Sequence, residues 1–488
     1  MDINNLFSLN GCGTGARLDS AFVTSQLNHI STLASTEWNE NNAWNINPAS
    51  GQLNNNNNKY NSYRVLAVAA LDEEIKIGWI QAKDECCANK MSTQPCEDWR
   101  MIENWDLWDL LYEIYFNEYK PSTSTCFVVT FPTLREIFAA AFRDRIVQHW
   151  ICIRINPLFE EKFKRQGDVS FNCRKGYGCL VASKALYNDM ATMSDGWKKR
   201  DVWIGRSDIQ AFFMHIDRFI LWDLLEPFIK ENYKGNDLDI LLRLTKQQIF
   251  HHPQDDCIRK SPGYLWEALP VHKSLFKIER NFGMAIGNIL SQLCANFYLS
   301  FFDEIMIRLC NRYDCKYKRF VDDYTVTGPK WAILKIRPIA SRWLKLYLHL
   351  DQHPDKFYLQ PVHHGCKFVG SYLMPFRTYL ANRTFGGLCT QIRILATHCR
   401  RIEESVTLHR LNRLRREVSS LNSYVGFAVH HYSFKMRQKL FSPYLETIRK
   451  VCILNSDMLY VKVKNKYNYQ YNLIKYEDES YGLDLFNR

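Results

Sequence analysis

Three carboxylates stand in surroundings that suit a shared reaction centre. Asp208 ends the short run Val202-Trp203-Ile204-Gly205-Arg206-Ser207, with Ala211-Phe212-Phe213 close behind it. Asp322 and Asp323 lie in Tyr317-Lys318-Arg319-Phe320-Val321-Asp322-Asp323-Tyr324-Thr325-Val326-Thr327-Gly328. Its aromatic and β-branched flanks predict a hairpin with both acids at the tip. An Asp-Asp pair alone also suits a surface turn, where acids cost little. Taken with Asp208, the pair suits nucleotidyl transfer. That chemistry uses two divalent cations about 3.5–4 Å apart, one activating an attacking 3′-hydroxyl and the other holding the triphosphate and leaving group. Mg²⁺ prefers hard oxygen ligands and keeps several waters, so two or three carboxylates from separate strands suffice. Carboxylates so close repel one another unless a cation lies among them.

Other segments must place these acids. Phe282-Gly283-Met284-Ala285-Ile286-Gly287-Asn288-Ile289-Leu290-Ser291-Gln292 leads into a helix-like stretch from Leu293 to Leu299. A glycine pair at a helix entrance lets the backbone approach a ligand closely. From Phe127 to Pro375 short β-like runs alternate with helical ones, the texture of an α/β or α+β body. Over residues 391–450, Ile392, Leu395, Ile402, Leu408, Leu411 and Leu414 recur at roughly helical spacing. Twelve Lys and Arg there (Arg393, Arg400, Arg401, Arg410, Arg413, Arg415, Arg416, Lys435, Arg437, Lys439, Arg449, Lys450) face four acids (Glu403, Glu404, Glu417, Glu446), which is +8 of the chain's +12. Charge this one-sided favours a phosphate backbone over a merely solvated face.

The segments resemble a reverse transcriptase, in family order over roughly residues 127–450. Asp208-Ile209-Gln210-Ala211-Phe212-Phe213 resembles the first palm motif. Gly287-Asn288-Ile289-Leu290-Ser291-Gln292 resembles the second, in the Ser-Gln form of diversity-generating retroelements and their relatives. Phe320-Val321-Asp322-Asp323 is similar to the aromatic-x-Asp-Asp signature. Phe131-Pro132-Thr133-Leu134-Arg135-Glu136-Ile137 and Phe142-Arg143-Asp144-Arg145-Ile146-Val147 resemble the fingers, and Ser170 to Gly178 the basic motif that follows. Leu350-Asp351-Gln352-His353-Pro354-Asp355-Lys356 resembles the fourth palm motif, Gly365-Cys366-Lys367-Phe368-Val369-Gly370 the primer grip, and Leu421 to Gly426 part of the thumb.

The resemblance implies an α+β right-hand polymerase. Its fingers and palm would span residues 126–387 and a basic helical thumb 388–451, with an N-terminal extension over 1–125 and a tyrosine-rich tail over 452–488. It implies two Mg²⁺ ions, or Mn²⁺ in their place, held by Asp208, Asp322, Asp323 and the carbonyl of Ile209. Lys356 would protonate the leaving pyrophosphate. Phe213 would exclude a 2′-hydroxyl, Ile286, Gly287 and Gln292 would line the nucleotide site, and Arg135, Arg143 and Arg174 are candidates for the triphosphate. A structural pairing of one or two of these arginines with Glu136 or Asp144 stays open. Lys367, Arg410, Arg413, Arg416, Lys435 and Arg437 would contact nucleic acid by its backbone. No helix is legible in the tail, where Tyr467, Tyr469, Tyr471, Tyr476 and Tyr481 raise the alternative of a tyrosine hydroxyl as primer. About forty residues follow Lys450, too few for an RNase H domain, so DNA synthesis without template degradation is expected.

The expected partners are dNTPs, a structured non-coding RNA as template and the DNA product; a homo-oligomer is left open. Two settings compete, bacterial antiphage defence and mutagenic copying in a diversity-generating retroelement. A non-catalytic RNA-binding scaffold that keeps a palm fold is the alternative of a different class. Residues 36–65 form an asparagine-rich tract in which Ala43–Asn47 and Tyr63–Val68 read as strands around a polar connection that holds Asn54 to Asn58. Over about thirty residues the tract resembles the closing hairpin of C-type-lectin-like domains.

Composition narrows the class further. With 488 residues, 46% of them apolar and 14% aromatic, a wholly disordered chain is excluded. No run reaches the roughly 18 apolar residues of a membrane helix. Met1-Asp2-Ile3-Asn4-Asn5 lacks a signal peptide's basic start, so a cytoplasmic location is expected. The 16 cysteines are scattered without a C-x-x-C pair, which favours reduced buried thiols over zinc.

Overall fold

The computed structural model describes residues 73–486 except 89, 92, 131 and 132, and before them only the backbone of strands Asn42–Ile46 and Leu53–Asn58. Side chains are described from residue 75 to residue 475, Asn104 excepted. The architecture is mixed α+β, with small sheets among many helices. Among the described residues no helix is long and apolar enough to cross a membrane.

The asparagine run is not the polar connection expected of it. Leu53–Asn58 is itself a strand, antiparallel to Asn42–Ile46, with Asn42 opposite Asn58 and Ile46 opposite Leu53. Ladder bonds use the main chain, which asparagine supplies as well as any residue, while Pro48, Ser50 and Gly51 put the turn signals between the two strands. The strand expected at Tyr63–Val68, and Phe131 and Pro132 of the segment expected to form fingers, lie outside the described residues.

Two compact units are woven from alternating stretches of chain. One comprises Met1–Gly167, Ala211–Phe301 and Lys345–Leu350, the other Asp168–Gln210, Phe302–Leu344 and Asp351–Arg488. In the first, the long helix Phe142–Arg165 buries Ile146, Val147, Trp150, Ile151, Ile155, Phe159 and Phe163. Helix Glu73–Cys87 lies against it through Trp79, whose ring stacks on Trp150 at 4.7 Å, and Trp99 stacks on Phe142 at 5.1 Å. Such ring pairs add about 0.5–1.5 kcal/mol beyond their buried area. The helices before residue 116 thus share the core of this unit. Strand Ser124–Val129 pairs antiparallel with Arg135–Ala139 and parallel with Cys257–Arg259, and Cys126 and Phe138 pack there with Met214, Leu275 and Ala285.

The second unit is built on a four-stranded antiparallel sheet in the order Lys316–Phe320, Asp323–Pro329, Val202–Asp208, Tyr358–Pro361. Side chains alternate across it. Val202 and Ile204 pack with Ala182, Leu186 and Met190 of helix Cys179–Met193. On the other face a Cβ at Gly205 would lie 2.5 Å from Cγ2 of Ile333, so the glycine admits helix Lys330–Leu348 close to the sheet. Beneath the sheet's first strand Arg319 and Asp303 are both fully buried. Arg319 donates from Nε and Nη2 to the two carboxylate oxygens at 2.7 and 2.6 Å, and Tyr317 donates to the same carboxylate at 2.8 Å.

A three-stranded antiparallel sheet, Cys366–Phe368, Ser371–Met374 and Arg377–Leu380, leads into helices Asn382–Glu404 and Leu408–Ala428. Ile392, Leu395, Ile402, Leu411 and Leu414 are buried between these helices as their spacing predicts, while Leu408 is only half-buried beside the break at Ser405–Thr407. The tail differs from expectation. It forms a hairpin, Cys452–Leu454 with Val461–Val463, and then a helix, Asn465–Phe486. Asn422 clips the hairpin by accepting from Val461 N–H and donating to its carbonyl, each at 2.8 Å. Tyr467 joins the core of the helical bundle, with Tyr471 and Ile474 against it. Aromatic residues at i and i+4 gave the helix its buried stripe; the many asparagines and lysines between them hid it.

Candidate active site

The strand Val202–Asp208 ends opposite the start of its neighbour, so that Asp208 pairs with Asp323 across the sheet. Phe320 also pairs with Asp323, leaving Val321 and Asp322 as a two-residue tip. Val321 holds φ 57°, the left-handed region that such a tip requires and that a β-branched residue seldom adopts. Three neighbours fix it. The Asn172 side-chain oxygen accepts from Val321 N–H at 3.0 Å, Arg319 donates to the Val321 carbonyl at 3.1 Å, and Ile209 N–H donates to the Asp322 carbonyl at 3.2 Å. The segment Asp351–His353 closes the other side: Gln210 N–H donates to the Asp351 carbonyl and His353 N–H to that of Asp208, at 2.9 and 2.8 Å. One end of the sheet thereby gathers Asp208, Asp322 and Asp323.

Two cations already balance this group. Lys356 Nζ lies 2.7 Å from Oδ2 of Asp208, and the lysine is 55% exposed. Arg206 lies 3.2 and 3.4 Å from the two oxygens of Asp323, and its third bond runs to the Lys367 carbonyl at 2.9 Å. Asp322 forms no ion pair with either cation, and Lys356 only partly offsets its charge. Burial, followed by the charges of Asp208 and Asp323, pushes its carboxyl up to about 6. Burial also raises Asp323, against the opposing pull of Arg206. Among the described residues no group of three or more His, Cys, Asp and Glu side chains forms a ready-made metal cage. The donor set is nevertheless all hard oxygen, and the ionised form of Asp322 is opposed by burial and by two neighbouring acids more than Lys356 offsets. That suits an open magnesium site completed by water and phosphate.

Arg206 is the residue that the sequence reading passed over. Strand alternation puts residues i and i+2 on one face, so Arg206 and Asp208 share a side, and that signal was available. The Asp303–Arg319 pair was not legible, since nothing local links those positions.

The other expected residues divide. In the first unit Gly287 has φ 124°, and a Cβ there would lie 2.3 Å from the Phe138 carbonyl oxygen, whose own N–H donates to the Ile286 carbonyl at 2.8 Å. Met284 N–H donates to the Phe213 carbonyl at 2.8 Å, so the glycine-bearing loop is tied to the segment carrying that ring. Phe213 and Ile286 are half-buried, and Gln292 and Arg135 are exposed. Gly287→Ala is expected to lose about 1–3 kcal/mol of stability, as a shift of the urea midpoint shows.

Four of the expected basic residues already hold protein partners. Arg143 faces Asp106 and Glu113, each at 3.2 Å, and Arg174 is buried against Asp168 at 2.6 Å and the Ser170 carbonyl at 2.8 Å, its guanidinium over Tyr177. Neither takes the partner weighed in sequence: Glu136 accepts from Ser274 and Leu275, and Asp144 from Tyr119 and Ser122. Arg437 is buried with the Ser433 hydroxyl and Asp457 carbonyl, and Arg410 donates to the carbonyls of Arg401 and Ser405 at a helix end. Acids and carbonyls thus hold guanidiniums that the resemblance and the charge pattern offered to phosphate. Arg413, Arg416, Lys435 and Lys367 are exposed. Of the tyrosines, Tyr467 is buried, Tyr471 lies under Arg415 at 4.0 Å and Tyr469 is 70% exposed. The side chains of Tyr476 and Tyr481 lie outside the described residues.

No family model and no curated protein matches the chain. Among solved structures it is similar to apo telomerase from Candida tropicalis truncated from the C-terminal domain. That similarity has 12% identity over 57% of this chain and 60% of that one, at a TM-score of 0.37. It is also similar to telomerase from Candida albicans in complex with a TWJ fragment of telomeric RNA, with 11% identity over 70% of this chain and 61% of that one, at 0.39. The chain spans less than two thirds of the length of these structures. Likeness at this level determines neither fold nor chemistry.

Proposed function

We propose that the chain is an RNA-directed DNA polymerase, joining a dNTP to a primer 3′-hydroxyl with release of pyrophosphate. The observation that carries this reading is the meeting of Asp208, Asp322 and Asp323 at one end of an antiparallel sheet, where burial and the two neighbouring acids push Asp322 up to about 6. Asp208, Asp322, Asp323 and the Ile209 carbonyl would hold two Mg²⁺, or Mn²⁺ in their place. Bound there, the ions would activate the 3′-hydroxyl and offset charge on the transferring phosphoryl group.

The chain's own residues do the rest. Arg206 keeps Asp323 oriented. Lys356, beside Asp208 with its Nζ exposed, is the donor to the leaving pyrophosphate. Phe213 excludes a 2′-hydroxyl, with Ile286, Gly287 and Gln292 lining the nucleotide and Arg135 on its triphosphate. Arg413, Arg416 and Lys435 hold the template–primer by its phosphates. Arg413→Ala or Arg416→Ala should weaken binding and lower the salt slope by about one each, whereas Arg437→Ala should leave the slope unchanged and lower stability.

The template we assign is a structured non-coding RNA and the setting bacterial antiphage defence. For a tyrosine primer, Tyr469 is the most exposed of Tyr467, Tyr469 and Tyr471, the candidates whose side chains are described. The test is incorporation of labelled dNTPs by the full chain with Mg²⁺, together with sequencing of the RNA and DNA that co-purify with it. Uptake of dNTPs over rNTPs is expected; no uptake with any template and primer overturns the reading in favour of an RNA-binding scaffold. A fixed, repetitive copy of a structured RNA supports the defence setting, and an adenine-mutagenised gene copy replaces it with a retroelement. DNA free of protein after denaturation rules out Tyr469 as primer.

A further inference from the structure

The three-stranded sheet after the palm has two unlike faces. Cys366, Phe368, Ser371 and Leu373 are buried. On the opposite face the register sets Lys367 beside Tyr372, Tyr372 beside Tyr379 and Met374 beside Arg377. This outer face is therefore aromatic and basic, where an ordinary solvated sheet carries mixed polar residues.

A second segment enlarges it. Tyr432 N–H donates to the Thr378 carbonyl at 2.8 Å, which brings the Tyr432 ring edge-on to Tyr379 at 6.1 Å, with the Arg377 guanidinium 4.8 Å above it. Tyr432 is nonetheless 61% exposed. Lys435, one turn further on, is exposed as well. The hairpin tip is also unusual. Arg377 pairs with Met374, so Pro375-Phe376 is a two-residue loop in which Phe376 takes φ 64°, a position that favours glycine. Its ring is 75% exposed, so strained backbone holds an aromatic side chain in solvent.

Charge selects the partner. Residues 357–402 contain six Lys and Arg (Lys367, Arg377, Arg383, Arg393, Arg400, Arg401) and no Asp or Glu. A protein-docking patch would not need such a one-signed field, whereas a polyanion that also offers flat apolar rings meets both features. Duplex nucleic acid hides its base faces, and only an unpaired strand presents them.

We propose that this face, centred on Tyr379 and Tyr432, is a stacking platform for the bases of single-stranded nucleic acid, with Arg377 and Lys435 on its phosphates. Base–aromatic stacking tolerates any sequence and suits a strand that moves through the site. The proposal does not depend on catalysis.

The test is fluorescence anisotropy of the full chain, without dNTPs or divalent metal, on three labelled oligonucleotides of equal length: a single strand, its duplex and an abasic strand. Tighter binding of the base-bearing strand than of the abasic one is expected. Tyr432→Ala should weaken the single strand about tenfold or more and leave the abasic strand unchanged, Tyr432→Phe should retain binding, and Arg377→Ala should weaken all three. Thermal melting of each variant separates a lost contact from a lost fold. Equal binding of base-bearing and abasic strands, or a folded Tyr432→Ala variant that binds the single strand like wild type, overturns the proposal. Neither result bears on dNTP incorporation, which Asp322 tests separately.

Discussion

Replacing Asp322 by alanine should abolish dNTP incorporation, by about a thousandfold or more in single-turnover rate. A carboxylate that holds a metal against a developing phosphoryl charge is worth several kcal/mol, and each 1.36 kcal/mol is tenfold. Activity loss alone would not separate chemistry from damage, but Asp322 offers a second readout. Its carboxyl titrates near 6 in the fold against about 3.8 when unfolded, because burial and two neighbouring acids oppose its charge. The folded state therefore binds the extra proton, and the chain loses stability as pH rises from about 4 through 6. Asp322→Asn removes that charge. In metal-free buffer at pH 7–8 the variant should be more stable than wild type by about 1–3 kcal/mol, and the gain should vanish near pH 4. An inactive protein that melts higher is the mark of an acid kept for function. An Asn variant that is both inactive and less stable would remove Asp322 from the chemistry.

The second large effect lies beneath the hairpin. Arg319→Met should cost about 3–5 kcal/mol, since it leaves the buried Asp303 carboxylate without its partner. Replacing both, as in Arg319→Met with Asp303→Leu, should recover most of that loss, because the unpaired charge rather than the missing attraction is what destabilises. The recovered protein should still incorporate dNTPs slowly. Arg319 also donates to the Val321 carbonyl, and without that bond the left-handed tip carrying Asp322 loses one of its fixings. Chemical denaturation and single-turnover kinetics on the two variants check both halves.

These residues show what sequence can and cannot convey. The strand ending at Asp208 and the hairpin tipped by Asp322 were legible, because alternation and turn chemistry are local. The helical stripe from Ile392 to Leu414 was legible for the same reason. Guanidiniums were not. Arg143, Arg174, Arg410 and Arg437 are basic in sequence, but acids and carbonyls hold them, some near in sequence and some distant, and only the fold chooses between such a partner and a phosphate. The tail was missed because Tyr467 and Tyr471 make a stripe only when the bundle beside them is known.

The paired cations at the site have a further consequence. Lys356 and Arg206 furnish Asp208 and Asp323 with resident counter-ions, leaving a single acid unbalanced. Proteins that fold around a metal lose their shape to a chelator. Here two of the three carboxylates have a countercharge written into the polypeptide, so divalent ions, where bound, would replace side-chain cations instead of completing the structure. On the proposed reading, ion supply would set how fast the protein works and would have little bearing on how much of it is folded.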